Sequence, residues 1–207
     1  MVNTIVFDLG GVIIDLNVPR CVAKFKALMG AENVRNVLGI DDDGEGVVAV
    51  SAATKQLMHE YEYGNISSES FVETLRSYCH PGTTADDIRS AWLSMLGNLP
   101  QDKLDFIASL RQKGYKTVLL SNSNELHWDP IWEQYRLGGY FDYVFASHHL
   151  HMAKPNQEIF DHVVREAEID CAHTVYVDDL EKNRLAGERF AGWKTCASID
   201  DLKSLIL

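Results

Sequence analysis

Four short polar segments carry the side chains that could do chemistry. They are Asp8 after Ile5-Val6-Phe7, Ser121-Asn122 after the run Lys116 to Leu120, Lys154 before Pro155, and Asp178-Asp179 after Thr174 to Val177. Adjacent carboxylates repel and raise each other's pKa unless a cation, a proton or hydrogen bonds compensate. If Asp8 converges on Asp178 and Asp179, the pressure grows. A hard divalent cation relieves it, and Mg2+ fits best because it accepts carboxylate oxygens while keeping several of its waters. A lysine and a hydroxyl beside such a metal suit phosphoryl chemistry: the cations neutralise phosphoryl oxygens, and a carboxylate can attack phosphorus to form an aspartyl-phosphate. Taken singly, each segment reads as an ordinary strand end or polar turn; the set carries the argument.

These side chains must be delivered by strands. Ile5-Val6-Phe7 reads as a buried strand that ends in Asp8, and Gly10-Gly11 permits a sharp turn directly after it. From Leu99 onward helical and strand patterns alternate: a helix from Pro100 to Gly114, strand Lys116 to Leu120, strand Tyr143 to Ala146, helix Asn156 to Glu168, strand Thr174 to Val177, helix Glu181 to Phe190 and a last strand Lys194 to Ala197. Strands separated by helices imply right-handed crossovers and a parallel sheet covered on both faces. The first strand must join that sheet to satisfy its backbone. The expected fold is therefore an α/β, parallel-sheet, Rossmann-like three-layer core made of residues 1–16 and 97–207. Residues 17–96 show only helical patterns and form an inserted helical cap. Within that insertion, a helix from Pro19 should stop at Gly30, Ser67 and Thr84 should cap two further helices, and the acidic run Asp41 to Gly46 reads as a solvated turn that lacks EF-hand spacing.

Composition sets outer bounds. The chain has 207 residues with 46% apolar content, enough for one large domain or a medium and a small one. A net charge of -11 with no basic cluster excludes a nucleic-acid surface. No apolar run approaches the roughly 20 residues of a membrane span, and no secretory signal opens the chain, which places it in the cytoplasm. The four cysteines, Cys21, Cys79, Cys171 and Cys196, are scattered and are expected to be reduced.

In order and spacing, Phe7-Asp8-Leu9-Gly10-Gly11-Val12, Leu120-Ser121-Asn122-Ser123-Asn124, Lys154-Pro155 and Val177-Asp178-Asp179 with Asn183 resemble the haloacid dehalogenase-like (HAD) hydrolase superfamily. Ser121 to His127, with Lys154-Pro155 followed by Glu158-Ile159-Phe160, is similar to the branch containing alpha-glucose-1-phosphate phosphatases. The resemblance implies that Asp8 is the nucleophile and that Lys154 ties the phosphoryl group to it. Ser121 and the N–H of Asn122 would hold phosphoryl oxygen. Asp8, the carbonyl of Gly10 and Asp179 would bind Mg2+, with Asp178 completing the acidic site directly or through water. Asn183 would be a supporting polar residue. The implied function is a Mg-dependent phosphatase acting on a small phosphorylated metabolite, of sugar-phosphate type, with the helical cap closing over it.

One departure stands out. Most phosphatases of this superfamily carry a second aspartate two residues after the nucleophile, as general acid and then base, and here that position is Gly10. Losing positioned proton transfer costs about 10² to 10⁴ in rate, least for good leaving groups. The glucose-1-phosphate branch commonly shows glycine there as well. Asp15, Glu125 and His127 are the nearby polar residues that could substitute, and each reads equally as a loop residue. His148, His149 and His151 lack a carboxylate partner in sequence and read as surface. Two other functions compete. A catalytically weak or silent relative would bind a phosphorylated metabolite or a protein partner, but need not keep Asp8. A 2-haloacid dehalogenase would attack carbon, but has no use for the crowded pair Asp178-Asp179.

Overall fold

The computed structural model describes residues 2–38 and 52–206. The acidic run Asp41 to Gly46 lies outside them. Strand β1 (Thr4–Phe7) is followed by helices α1 (Val18–Leu38), α2 (Ala52–Glu62), α3 (Ser68–Arg76) and α4 (Ala85–Leu93). Then come α5 (Gln101–Gln112), β2 (Lys116–Ser121), α6 (Glu125–Tyr135), β3 (Tyr143–Ala146), α7 (Ser147–Leu150) and α8 (Gln157–Glu166). The chain closes with β4 (Thr174–Val177), α9 (Glu181–Ala186), β5 (Lys194–Cys196) and α10 (Ile199–Ile206).

All strand pairs are parallel, in the order β3-β2-β1-β4-β5. The alternation of side chains splits the core into two layers. Ile5, Phe7, Leu119, Val175 and Val177 pack on one face with α5, α6 and α10, whereas Val6, Val118, Leu120 and Tyr176 pack on the other with Ile159, Phe160 and Val163 of α8. This is the expected three-layer parallel core.

Helices α1 to α4 build a third cluster around Phe25, Phe71, Leu75, Ile88 and Trp92. The two connections to this helical insertion pair with each other: Leu16 bridges Leu96, Asn17 N–H donates to Met95 C=O at 2.6 Å and Gly97 N–H to Asp15 C=O at 2.8 Å. The caps form as the sequence suggests. Ser67 accepts from the Ser70 N–H, and Thr84 makes a reciprocal capping box with Asp87. Gly30 interrupts α1 with φ 79°, but the chain resumes a helix beyond it, which the apolar pattern did not show.

Helices α6 and α10 have no counterpart among the elements expected from the sequence. Pro130 within α6 reads as a breaker, yet Asn124 caps the helix by accepting from the His127 N–H, and Trp128 and Ile131 bury its inner face. The His-rich loop after β3 is the short helix α7, and β2 runs one residue further than expected, through Ser121.

Candidate active site

Strand register sets the site. Thr4–Phe7 pairs with Lys116–Leu119 on one side and Thr174–Val177 on the other. One step beyond these pairs, Asp8, Leu120 and Asp178 therefore lie level at the carboxyl edge of the sheet, where open parallel sheets bind ligands. The ammonium of Lys154 meets all three. Its Nζ donates to Asp8 Oδ1 at 2.8 Å, Leu120 C=O at 2.9 Å and Asp178 Oδ2 at 2.7 Å. Three donors on one ammonium are thereby satisfied, which makes burial of this side chain to 3% exposure tolerable.

Asp178 is fully enclosed by donors. Besides Lys154 it accepts from the Tyr176 hydroxyl, the Leu180 N–H and Asn183 Nδ2. Arg184 braces the turn by donating to the carbonyls of Asp178 and Asp179. Asn183 Nδ2 lies 3.1 Å from each oxygen of Asp178. Tyr176 and the Leu120 carbonyl had no sequence signal, since a strand tyrosine and a backbone oxygen look alike wherever they fall.

Asp8, Asp178 and Asp179 each offer an oxygen within 4.8 Å of the others. An all-oxygen carboxylate set suits a hard cation such as Mg2+. Electrostatics point the same way. Burial pushes the Asp8 carboxyl up to about 6; Lys154 pulls it down, and Asp178 raises it further. Burial and Asp178 also raise Asp179. The Lys154 ammonium is disfavoured by burial, but Asp8 and Asp178 hold its pKa above the usual value. One lysine facing three carboxylates leaves negative charge for a cation to offset.

Gly11 keeps this geometry open. Its φ is +76°, and a Cβ there would fall 2.5 Å from Asp179 Oδ2. Gly11→Ala is expected to push the Asp179 carboxylate out of the acidic cluster. The expected result is about tenfold or greater loss of Mg2+ affinity by calorimetry, together with roughly 1 to 3 kcal/mol of backbone strain in thermal unfolding.

Ser121 ends β2 buried, and among the described residues its hydroxyl has a single long contact, 3.4 Å to the Asn122 carbonyl. The Asn122 side chain is committed elsewhere: Oδ1 accepts from the Lys154 N–H, and Nδ2 donates to the Lys154 C=O and to Glu62 Oε1 at 2.6 Å. Glu62 comes from the helical insertion. It was missed because nothing in its local pattern distinguishes it from any acidic residue near a helix end.

The space in front of Gly10 holds an apolar side chain; a Cβ at Gly10 would lie 3.2 Å from Leu16 Cδ1. A cavity of about 210 Å3 adjoins it, walled by Gly10, Leu16, Trp92, Ser121, Asn122 and His127. Of the substitutes considered for the missing acid, Asp15 is exposed and pairs with Lys103 at 3.2 Å, away from Asp8. Glu125 accepts from the Ser68 hydroxyl. His127 reaches the cavity, but burial drives its pKa down to about 4, and its Nε2 contacts the Trp92 carbonyl at 3.0 Å, which requires the proton on Nε2. That imidazole is neutral and already engaged. Contrary to the surface reading, His148 is buried against Trp128. His149 and His151 are exposed as expected, and His151 Nδ1 contacts the Tyr63 carbonyl. Among the described residues these histidines form no metal-ligating group with a carboxylate.

Acids, a buried lysine and a hydroxyl gathered on one carboxyl edge, beside a helical insertion after the first strand, define a Rossmann-like hydrolytic enzyme. The chain belongs to the haloacid dehalogenase-like hydrolase family, whose model matches residues 2–190. It is 30% identical over 201 residues to a D-ribitol-5-phosphate phosphatase of Bacteroides thetaiotaomicron, covering 94% of this chain and 91% of that one. A HAD family enzyme of the same organism, solved in complex with magnesium and inorganic phosphate, is 30% identical with a TM-score of 0.82 over 100% of both chains. A HAD-like family hydrolase of Porphyromonas gingivalis is 29% identical, with a TM-score of 0.82 over 100% of this chain and 98% of that one.

Proposed function

We propose that this enzyme is a Mg-dependent phosphatase that hydrolyses a small phosphomonoester of sugar-phosphate or sugar-alcohol-phosphate type through an aspartyl-phosphate on Asp8. The observation that carries the reading is the Lys154 ammonium held between Asp8 and Asp178, with Asp179 in reach of the same acidic point. Asp8 attacks phosphorus as the ester P–O bond breaks, and the departing oxygen takes its proton from solvent water; a second water then cleaves the acyl phosphate, releasing inorganic phosphate and returning the carboxylate. Lys154 keeps Asp8 ionised and faces the incoming phosphoryl group. Ser121 Oγ and the Asn122 N–H hold phosphoryl oxygen. Asp8, the Gly10 carbonyl and Asp179 would hold Mg2+, which offsets the charge of phosphoryl group and nucleophile. Asp178, saturated by protein donors, acts mainly by fixing Lys154, and would complete the acidic metal site directly or through water. Residues 17–96 form the cap over residues 1–16 and 97–207. The D-ribitol-5-phosphate phosphatase relative supports the substrate class.

With Leu16 against Gly10, no carboxyl occupies the usual acid position. Leaving groups that need little protonation, such as p-nitrophenol or a hemiacetal oxygen, should therefore turn over best.

The test is phosphate release from p-nitrophenyl phosphate and a panel of sugar and polyol phosphates, with Mg2+ or with excess chelator. Turnover that needs Mg2+ is expected; release that chelator leaves unchanged would remove the metal from the reading. Mg2+ should also raise the melting temperature, more at pH 7.5 than at pH 5. Below about pH 6 the ion must displace a proton from Asp8, whose pKa burial has raised to about 6.

A further inference from the structure

We propose that Glu62 is a positioning residue that ties the cap to the catalytic lysine, through Asn122, so that the Lys154 loop is fully ordered only while the cap is seated. The proposal rests on the phosphatase reading for its kinetic consequences, and on hydrogen bonds alone for its structural ones.

Glu62 ends α2, where four consecutive residues meet the core. The Tyr61 hydroxyl accepts from the Leu126 N–H at 3.2 Å. Tyr63 receives His151 Nδ1 on its carbonyl and Asn156 Nδ2 on its hydroxyl. Gly64 fits so closely that a Cβ would lie 2.1 Å from the His148 carbonyl oxygen. These neighbours dock the cap on α6, on α7 and on the loop before α8.

Glu62 does something different, because its partner is the residue that holds Lys154. Asn122 accepts from the Lys154 N–H and donates to the Lys154 C=O, both at 2.9 Å, so one amide clamps both backbone polar groups of the lysine. Its remaining amide hydrogen goes to Glu62 Oε1 at 2.6 Å. The Glu62 carbonyl is pinned in turn by the Ser147 hydroxyl at 2.8 Å, and the Ser123 N–H donates to that same hydroxyl. Cap, β2 end, β3 end and lysine loop thus share one connected network.

An ionised acceptor makes the stronger bond to an amide N–H. Burial raises the Glu62 carboxyl, while Lys182, Lys154 and the Asn122 bond oppose the rise. If the cap swings away, Asn122 loses the one bond that anchors its amide from outside the lysine loop. Its two bonds to the Lys154 backbone then hold less firmly, and the loop loosens with them. A buried network is worth most when every member is satisfied, so this loss falls on the catalytic loop rather than on the cap.

The experiment compares Glu62→Gln, Glu62→Ala, Asn122→Ala and the double variant. Kinetics are read on p-nitrophenyl phosphate and on a polyol phosphate, and amide hydrogen exchange is read in Mg2+ without substrate. Gln retains an acceptor oxygen, so E62Q should stay within about threefold of wild type. E62A should lose roughly ten- to hundredfold in kcat/KM, by the same factor on both substrates, because a partly buried donor is left unpaired. Exchange should quicken both at residues 61–64 and at 152–154, and adding E62A to N122A should cost little more.

Unchanged exchange at 152–154 in E62A, or a kinetic loss below threefold, overturns the proposal. So does E62Q as damaging as E62A with a larger loss on the polyol phosphate, which would make Glu62 a proton donor instead. If wild type releases no phosphate, the phosphatase reading fails while exchange still decides the linkage.

Discussion

Asp8→Asn is expected to reduce phosphate release by about 10⁴-fold or more under the proposed mechanism, in which losing the covalent nucleophile leaves only binding and electrostatic contributions. The substitution should cost no stability. Asparagine keeps the shape, and Lys154 keeps Asp178 and the Leu120 carbonyl. The folded pKa of Asp8, raised from 3.8 to about 6 by burial, lies above its unfolded value. Its charge therefore weakens the metal-free fold at neutral pH, and the penalty disappears as pH falls below about 4. Asp8→Asn should accordingly melt at or above the wild-type temperature at pH 7.5 in chelator, with activity absent. Wild-type and Asp8→Asn turnover that match on every phosphomonoester would end the nucleophile assignment.

The second large effect falls on Lys154. Lys154→Ala removes the only cation bonded to Asp8 and Asp178 among the described residues. It leaves two buried carboxylates and the Leu120 carbonyl short of a donor. Breaking a buried ion pair from one side costs about 3 to 5 kcal/mol. For a chain of this size that is a fall of about 10 °C in Tm. The gap from wild type should narrow toward pH 5, where Asp8 takes up a proton, and phosphatase activity should be lost at every pH. Differential scanning calorimetry across that range reads the first effect. A pH-independent gap would mean that the buried charge on Asp8 is not its source.

Much of this was legible in the order of residues, for identifiable reasons. Runs such as Ile5-Val6-Phe7 and Thr174 to Val177 are buried on both faces and so are continuously apolar, which separates them from the amphipathic helices around them. Local capping chemistry at Ser67 and Thr84 showed where insertion helices begin. The helix α6 escaped because Pro130 lacks the N–H a helix needs, and the burial of Trp128 and Ile131 that outweighs that loss is tertiary. Helix α10 does carry a local signal: Ser198 caps its start by accepting from the Asp201 N–H.

The sequence by itself determined that acids and a hydroxyl stand at the ends of parallel strands, with a lysine one loop beyond another strand, because strand period and chain direction follow from local patterns. Only the tertiary structure decided which of them share one point in space. Strand register sets Asp8, Leu120 and Asp178 level, so that one ammonium can reach all three. Packing put Leu16 against Gly10 and neutralised His127, and docking of α2 brought Glu62 to Asn122 across 60 residues. Contacts between residues so far apart depend on how whole elements pack, and no local pattern in the chain records that.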